Sequence, residues 1–331
     1  MIQFIADLVG RIQGGYEIGQ DDAVVLTEKA DIYDLMYGAN RLREHFFGKK
    51  IRCCSIINAK SGRCGEDCAY CAQSSHHAAE AQTYPLVDPD VFVKTYEAAV
   101  ENGANWFGIV TSGGRLDKTD MEKIRGIISS TCGDSGTCLC ASLGMIAEDD
   151  ARLLKEAGLK RFHHNLETSR RFFSRICSTH SYDERVATVR AVKRAGLEVC
   201  SGGLFGLGEE WRDRIDLAWA LKELGADSVP LNFLHPVRGT PLENAAPLSP
   251  VDILRVIALY RFVLPDKDIR VCGGRDRNLR DVQSWIFYAG ASSVMTGNYL
   301  TMAGRSADVD RRMIRDLGLA PLEGRSERIL A

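Results

Sequence analysis

The 331-residue sequence has no window near the ~18 consecutive apolar residues that a membrane helix needs. It has no strong charge of one sign. Its 42 Lys and Arg against 44 Asp and Glu leave a formal net charge of -2, so no basic face calls for a nucleic-acid partner. The opening MIQFIADLVGRIQGGYEIGQDD has no basic start, turns acidic at Asp21 and Asp22, and is poor in Ser and Arg. A secretory signal or transit peptide is therefore not expected, and a cytoplasmic chain with no membrane contact is. Internal repeats, low-complexity tracts and dividing linkers are absent. With 45% hydrophobic and 26% charged residues, disorder, collagen-like repeats and coiled coil are excluded. No G-x-G-x-x-G follows the first apolar run, which argues against an open dinucleotide-binding sheet. The glycines at 202, 203, 206 and 208 come too late in the chain to replace it.

The chain does contain eight short apolar runs: Ile51–Asn58, Trp106–Thr111, Cys138–Leu143, Leu159–Leu166, Leu197–Gly202, Asp227–Phe233, Asp268–Gly273 and Ser292–Gly297. Helix-like segments separate them. Asp150–Ala157, for example, carries Leu153, Leu154 and Ala157 at helical spacing, and Gly158, Gly196 and Gly225 read as helix stops. Strands that alternate with helices in this way predict parallel βα units, and eight of them close a TIM-type (β/α)8 barrel. The expected organisation is an N-terminal helical extension over residues 1–50, a barrel over 51–305 and a charged, peripheral tail over 306–331.

Eleven cysteines form the unusual feature: the number is odd, and they cluster rather than spread as a disulfide framework does. Cys64, Cys68 and Cys71 lie within eight residues, just past the first predicted strand. Closely spaced thiols favour zinc or an iron–sulfur cluster. A structural zinc needs a fourth ligand, and His76 and His77 lie near enough to offer one. Against zinc, such ions staple domains too small to build a core, and this chain has ample core. A 4Fe-4S cluster on three thiolates instead leaves one iron open to a small molecule, at the barrel face where such enzymes keep their chemistry.

The CxxxCxxC loop, with Tyr70 before its last cysteine, resembles the signature of the radical S-adenosylmethionine (SAM) superfamily. The stretches NAKSGRCGEDCAYCAQS, HNLETS, VCSGGLFGLGE and SVPLNFLHPVRGTPLE, and the GGR of Gly273–Arg275, resemble the biotin synthase family collinearly from about residue 50 to 300. The resemblance implies a sulfurtransferase that inserts sulfur into dethiobiotin, with hydrogen abstraction by a 5′-deoxyadenosyl radical. It implies Cys64, Cys68 and Cys71 as ligands of the 4Fe-4S cluster that binds SAM. Tyr70, Thr111, Ser112, Gly113, Asn165, Glu167 and Arg185 are its SAM residues. Lys60, Asn165, Asn232 and Thr301 are its dethiobiotin residues. Glu167 stands where the family has Asp, and His163 where it has Asn. Read alone, Arg185 in its charged segment is a solvated helix residue. A homodimer, and an electron donor such as flavodoxin or ferredoxin, are implied as well. Other members of the superfamily, of the hydrogenase-maturase or methylornithine-synthase type, share the loop but not SVPLNF or VCSGG. A zinc-stapled binding protein is the reading from another class.

The family's auxiliary 2Fe-2S cluster uses three cysteines and an arginine. Here Cys140, Cys200 and Arg270 match, but Gly108 stands in place of the second-strand cysteine. Four cysteines remain on odd strands: Cys54, Cys140, Cys200 and Cys272. Alternate barrel strands fill one interior layer, so these four can converge, while Cys53 points outward. The favoured expectation is an auxiliary cluster of four irons with extra sulfide, a device suited to an anaerobe, with Arg270 as a further ligand candidate. Cys272 is the one of the four that can line the site without ligating. Cys132 and Cys177 read as small buried hydrophobes.

Overall fold

The structure, a computed structural model, describes residues 1–131, 136–300 and 304–324. Three helices lead the chain: α1 (Ile2–Gln13), α2 (Gln20–Glu28) and α3 (Ile32–Phe47). The strands that follow are β1 (Lys50–Lys60), β2 (Trp106–Thr111), β3 (Cys138–Ser142), β4 (Arg161–His163), β5 (Glu198–Cys200, resuming at Gly203–Phe205), β6 (Ser228–Phe233), β7 (Asp268–Val271) and β8 (Ser293–Met295). Every neighbouring pair is parallel, and β1 also pairs with β8, so the sheet closes as the predicted TIM-type barrel. The runs read as strands because a parallel sheet under helices is buried on both faces and needs near-continuous apolar residues. The break in β5 falls at Ser201–Gly202, where a Cβ on Gly202 would lie 1.9 Å from the Pro230 carbonyl oxygen of β6.

Helices α4 (Pro89–Glu101), α5 (Lys118–Thr131), α6 (Glu148–Glu156), α7 (Arg170–Phe173), α8 (Tyr182–Arg194), α9 (Trp211–Glu223), α10 (Pro250–Val263), α11 (Arg275–Leu279) and α12 (Trp285–Tyr288) follow the strands. The three glycine stops hold, with φ of +111° at Gly158, +76° at Gly196 and +64° at Gly225. In α6 the inward residues are Ala151 and Leu154, whereas Leu153 is exposed. The leader packs onto the barrel through α3 and α10. Gly38 permits that approach, since a Cβ there would lie 2.5 Å from Ile5 and 2.7 Å from Phe262.

The described part of the expected tail, residues 306–324, is not peripheral. It forms α13 (Ala307–Asp316) and then β9 (Ala320–Pro321), which pairs with the start of β1. Asp310 and Ile314 on α13 are fully buried, and Asp310 meets the fully buried Arg275 at 2.8 and 3.0 Å. Among the described residues no helix is long and apolar enough to cross a membrane.

Candidate active site

The long β1 carries the chain to the C-terminal face of the barrel, and the cysteine loop begins just past it. The loop folds on its own main chain. Cys64 N–H donates to Gln73 O at 3.0 Å, Ser75 N–H to Cys64 O at 2.8 Å and Cys71 N–H to Cys68 O at 2.9 Å. Cys64, Cys68, Cys71 and the half-buried Tyr70 line one cavity of about 430 Å³. Each nearby imidazole is engaged by a loop carbonyl: His76 Nε2 lies 2.9 Å from Gly65 O, and His77 Nε2 lies 3.0 Å from Cys68 O. Those carbonyls take up one nitrogen of each ring, and the three loop thiols fit a group that takes three thiolates and leaves one position open.

Thr111–Gly114 borders this loop. Ser112 N–H donates to Lys60 O at 2.9 Å, and Ser112 Oγ to Gly62 O at 2.8 Å. Gly113 has φ of +111°, a conformation that glycine adopts without strain. Five buried polar atoms on residues of the cavity lining lack a partner: Thr111 Oγ1, His164 Nε2, Trp106 Nε1, Arg270 Nε and Tyr299 Oη. Orphans of this kind are expensive in a dry interior, and they fit a cavity built to hold a polar ligand. Burial, reinforced by Arg185, holds the His164 imidazole well below its ordinary pKa and therefore neutral.

Arg185 is buried, contrary to its reading as a solvated residue. Helix α8 opens with Ser181 and Glu184 in a capping box, in which Glu184 N–H donates to Ser181 Oγ at 3.2 Å and Ser181 N–H to Glu184 Oε2 at 2.8 Å. That cap points the first turn at the cavity. Arg185 then donates to Asn165 O at 2.9 Å and His180 Nε2 at 3.0 Å, and lies 3.6 Å from Glu167. Asn165 Nδ2 donates to Glu167 Oε2 at 3.3 Å, and Glu167 holds an unusual positive φ of +70°. Across the cavity, Asn232 accepts from Gly273 N–H at 3.0 Å and donates to Gly203 O at 3.2 Å.

The odd-strand cysteines converge below this layer. Cys54, Cys140, Cys272 and Arg270 line the same cavity. Cys200, fully buried, lies 3.8 Å from Arg270 Nη1 and 3.2 Å from His163 Nδ1. Cys140 shares its proton with Cys200, which drops well below the usual thiol pKa while Cys140 rises well above it. Burial alone would lower Arg270, but the surrounding Cys54, Cys200, Asp268 and Cys272 raise it. Arg270 Nε is a buried orphan. Arg161 stacks 3.6 Å over Trp106 at the same depth. Several thiols with two arginines and an unmet donor fit an anionic group that takes thiolate ligands. Cys53 packs outward in the main core, whereas Cys54 packs inward with Trp106 and Cys140.

One predicted substrate residue, Lys60, is not in the cavity wall and pairs with Asp120 at 2.7 Å. Thr301 lies outside the described residues, as does Cys132. Cys177 is buried in the main core as expected, but its sulfur also meets polar groups. Its sulfur lies 3.2 Å from Asp67 Oδ1, 3.3 Å from His180 Nδ1 and 3.9 Å from Cys68 Sγ. No local motif marks this group, because Cys68 and Cys177 stand 109 residues apart.

Residues 59–219 match the Radical SAM superfamily, and residues 230–320 match the Biotin and Thiamin Synthesis associated domain. A biotin synthase of Pelobacter propionicus is 51% identical over 322 residues, covering 96% of this chain and 98% of that protein. The chain belongs to the biotin synthase family. A member from Pelotomaculum thermopropionicum is 48% identical over 316 residues, covering 95% and 98%. Among solved structures, a methylornithine synthase superposes with a TM-score of 0.82 at 20% identity, covering 96% of this chain and 97% of that one. The [FeFe]-hydrogenase maturase HydG also reaches 0.82, at 16% identity, covering 97% and 76%. At those identities the likeness is one of fold. The family membership makes this a radical SAM enzyme of the sulfur-inserting kind, and with it come a 4Fe-4S cluster, SAM and an auxiliary cluster.

Proposed function

We propose that this enzyme converts dethiobiotin to biotin in the single cavity that joins the cysteine loop to the odd-strand cysteines, with a reductant such as flavodoxin or ferredoxin. The observation that supports this reading is that the three loop thiols and three of the four odd-strand thiols, Cys54, Cys140 and Cys272, line one space, with Cys200 buried behind it, so a substrate there would lie within reach of both sets. Cys64, Cys68 and Cys71 would hold the SAM cluster, and Cys54, Cys140, Cys200 and Cys272 the auxiliary one. When bound, the first supplies the electron that cleaves SAM and the second supplies the sulfur atom.

The chain's own side chains bind and orient. The Thr111–Gly114 backbone would meet the SAM amine, and Arg185 its carboxylate, with a guanidinium that His180 and Asn165 hold in place. Asn165 and Glu167 would take the ribose hydroxyls, and Asn232 the ureido ring. Val110, Leu204 and Phe233 make part of the wall apolar, which suits the hydrocarbon part of such a substrate.

For the auxiliary site we favour four irons with an extra sulfide over two. Gly108 offers no ligand where the family has cysteine, while four thiols surround Arg270. Arg161 and Arg270 would offset the charge of a larger thiolate-bound group. Iron and sulfide counting on anaerobically reconstituted protein tests it. About eight irons per chain are expected, and about six would restore the smaller cluster. Formation of biotin from dethiobiotin, rather than SAM cleavage alone, tests the activity. A homodimer in sedimentation would agree with the rest of the family's expected properties.

A further inference from the structure

Cys177 has no part in the chemistry above, yet it is positioned with care. Its main chain is tied to the cysteine loop: Ala69 N–H donates to Ile176 O at 2.8 Å. Asp67 clasps the same segment. Its carboxylate accepts from Ser178 N–H at 2.8 Å and Thr179 N–H at 3.2 Å, and its own N–H donates to Thr179 Oγ1 at 3.2 Å. These contacts are between protein groups only, so they hold Cys177 beside Cys68 whether or not the cavity is filled. The two sulfurs are 3.9 Å apart. A disulfide needs the sulfurs to close to ~2.05 Å, and the residues next to the two cysteines, Ala69 and Ile176, already hold the two main chains together. Cys68 lines the open cavity, so a small oxidant reaches the pair.

We propose that Cys68 and Cys177 form a reversible disulfide when the cysteine loop carries no cluster, which makes Cys177 the partner that guards a SAM-cluster ligand against oxidation. A peroxide is the oxidant. One thiol reduces hydrogen peroxide, becoming a sulfenic acid and releasing water. The other thiol then displaces the sulfenic oxygen as a second water, so two thiols and one peroxide give one disulfide and two waters. A dithiol reopens the pair by exchange. While Cys68 ligates iron its sulfur is committed, so the linkage belongs to the cluster-free chain. The linkage stands independently of the function proposed above, and its effect on cluster loading rests on that proposal.

The test uses full-length, cluster-free protein treated anaerobically with one to two equivalents of hydrogen peroxide. It is then alkylated and mapped by non-reducing peptide mass spectrometry. The expected result is a cross-linked peptide joining Cys68 to Cys177, with two thiols lost. Iron loading without a dithiol should fall at least fivefold and return when dithiothreitol is added. In Cys177→Ser, and in Cys177→Ala as a second variant, the cross-link disappears, Cys68 over-oxidises and the dithiol rescues loading far less. Cys68 joined chiefly to Cys64 or Cys71, or Cys177 left as a free thiol in the wild-type chain, would overturn the proposal without recourse to the variants. A 68–177 linkage that leaves iron loading unchanged would overturn the assignment of Cys68 as a cluster ligand and leave the disulfide standing.

Discussion

Glu167 shows how much depends on a single side chain in this cavity. It sits at the end of the fourth strand's turn with φ of +70°, which a residue with a Cβ adopts at some strain. Its carboxylate is 3.6 Å from Arg185 and 3.3 Å from Asn165 Nδ2. Replacing it by Gln keeps the shape and removes the charge. If the carboxylate takes ribose hydroxyls, Glu167→Gln should weaken SAM binding about tenfold or more, the size of one charge-assisted hydrogen bond. Equilibrium binding of SAM to the reconstituted variant measures this, and unchanged affinity would remove Glu167 from the site. The residues that the sequence exposed, such as Cys64, Cys68, Cys71 and Asn165, are those whose chemistry is written in adjacent letters. Arg185, which only the resemblance marks, and Cys177, which nothing marks, are hard to read for the opposite reason. A charged helix and an isolated cysteine look bland until the turn before α8 folds both against the cysteine loop.

Among the elements, the α7–α9 corner rests on one carboxylate. Asp213, in the first turn of α9, is fully buried and accepts from Ser169 Oγ at 2.6 Å, Glu210 N–H at 3.0 Å and Arg171 at 2.6 and 3.1 Å. Burial by itself would raise its pKa, but these donors outweigh burial and lower it. A carboxylate whose pKa falls on folding stabilises the fold fully above its unfolded value of about 3.9. That contribution fades as the pH drops through the lower folded value. Asp213→Asn should therefore cost about 1–3 kcal/mol near pH 7. It should also flatten the loss of stability as the pH falls below about 4, as urea unfolding at several pH values would read. An undiminished acid slope would place the sensitivity elsewhere. The strands themselves were legible because each is a short apolar run ended by glycine or a polar turn. The resumption of β5 at Gly203–Phe205 was not, since its continuation depends on pairing with β6 and leaves no mark in local hydropathy.

For the whole molecule, closure of the barrel and closure of the chain are joined through one ion pair. Gly273 and Gly274 of the GGR segment line the cavity. Gly274, with φ of +77°, starts α11 under the Phe233 carbonyl, where a Cβ would lie 1.7 Å from that oxygen. The turn sends Arg275 away from the cavity into the core, where it meets Asp310 of α13 with neither side chain exposed. The segment beyond residue 305 read as a tail because its letters are charged, and hydropathy cannot tell a solvated aspartate from one buried against an arginine 35 residues away. The structure makes that segment a brace between the cavity floor of the last strands and the start of β1. Removing one partner strands the other charge in the interior, at a cost of about 3–5 kcal/mol. Asp310→Asn should therefore lower stability by about that amount in chemical denaturation, with Arg275→Met, which removes the stranded cation's charge, partly restoring it in the double variant. A double variant no more stable than Asp310→Asn would mean that Arg275 is held by other contacts, the Met295 carbonyl at 3.5 Å among them, and that α13 braces the barrel through packing at Ile314 instead.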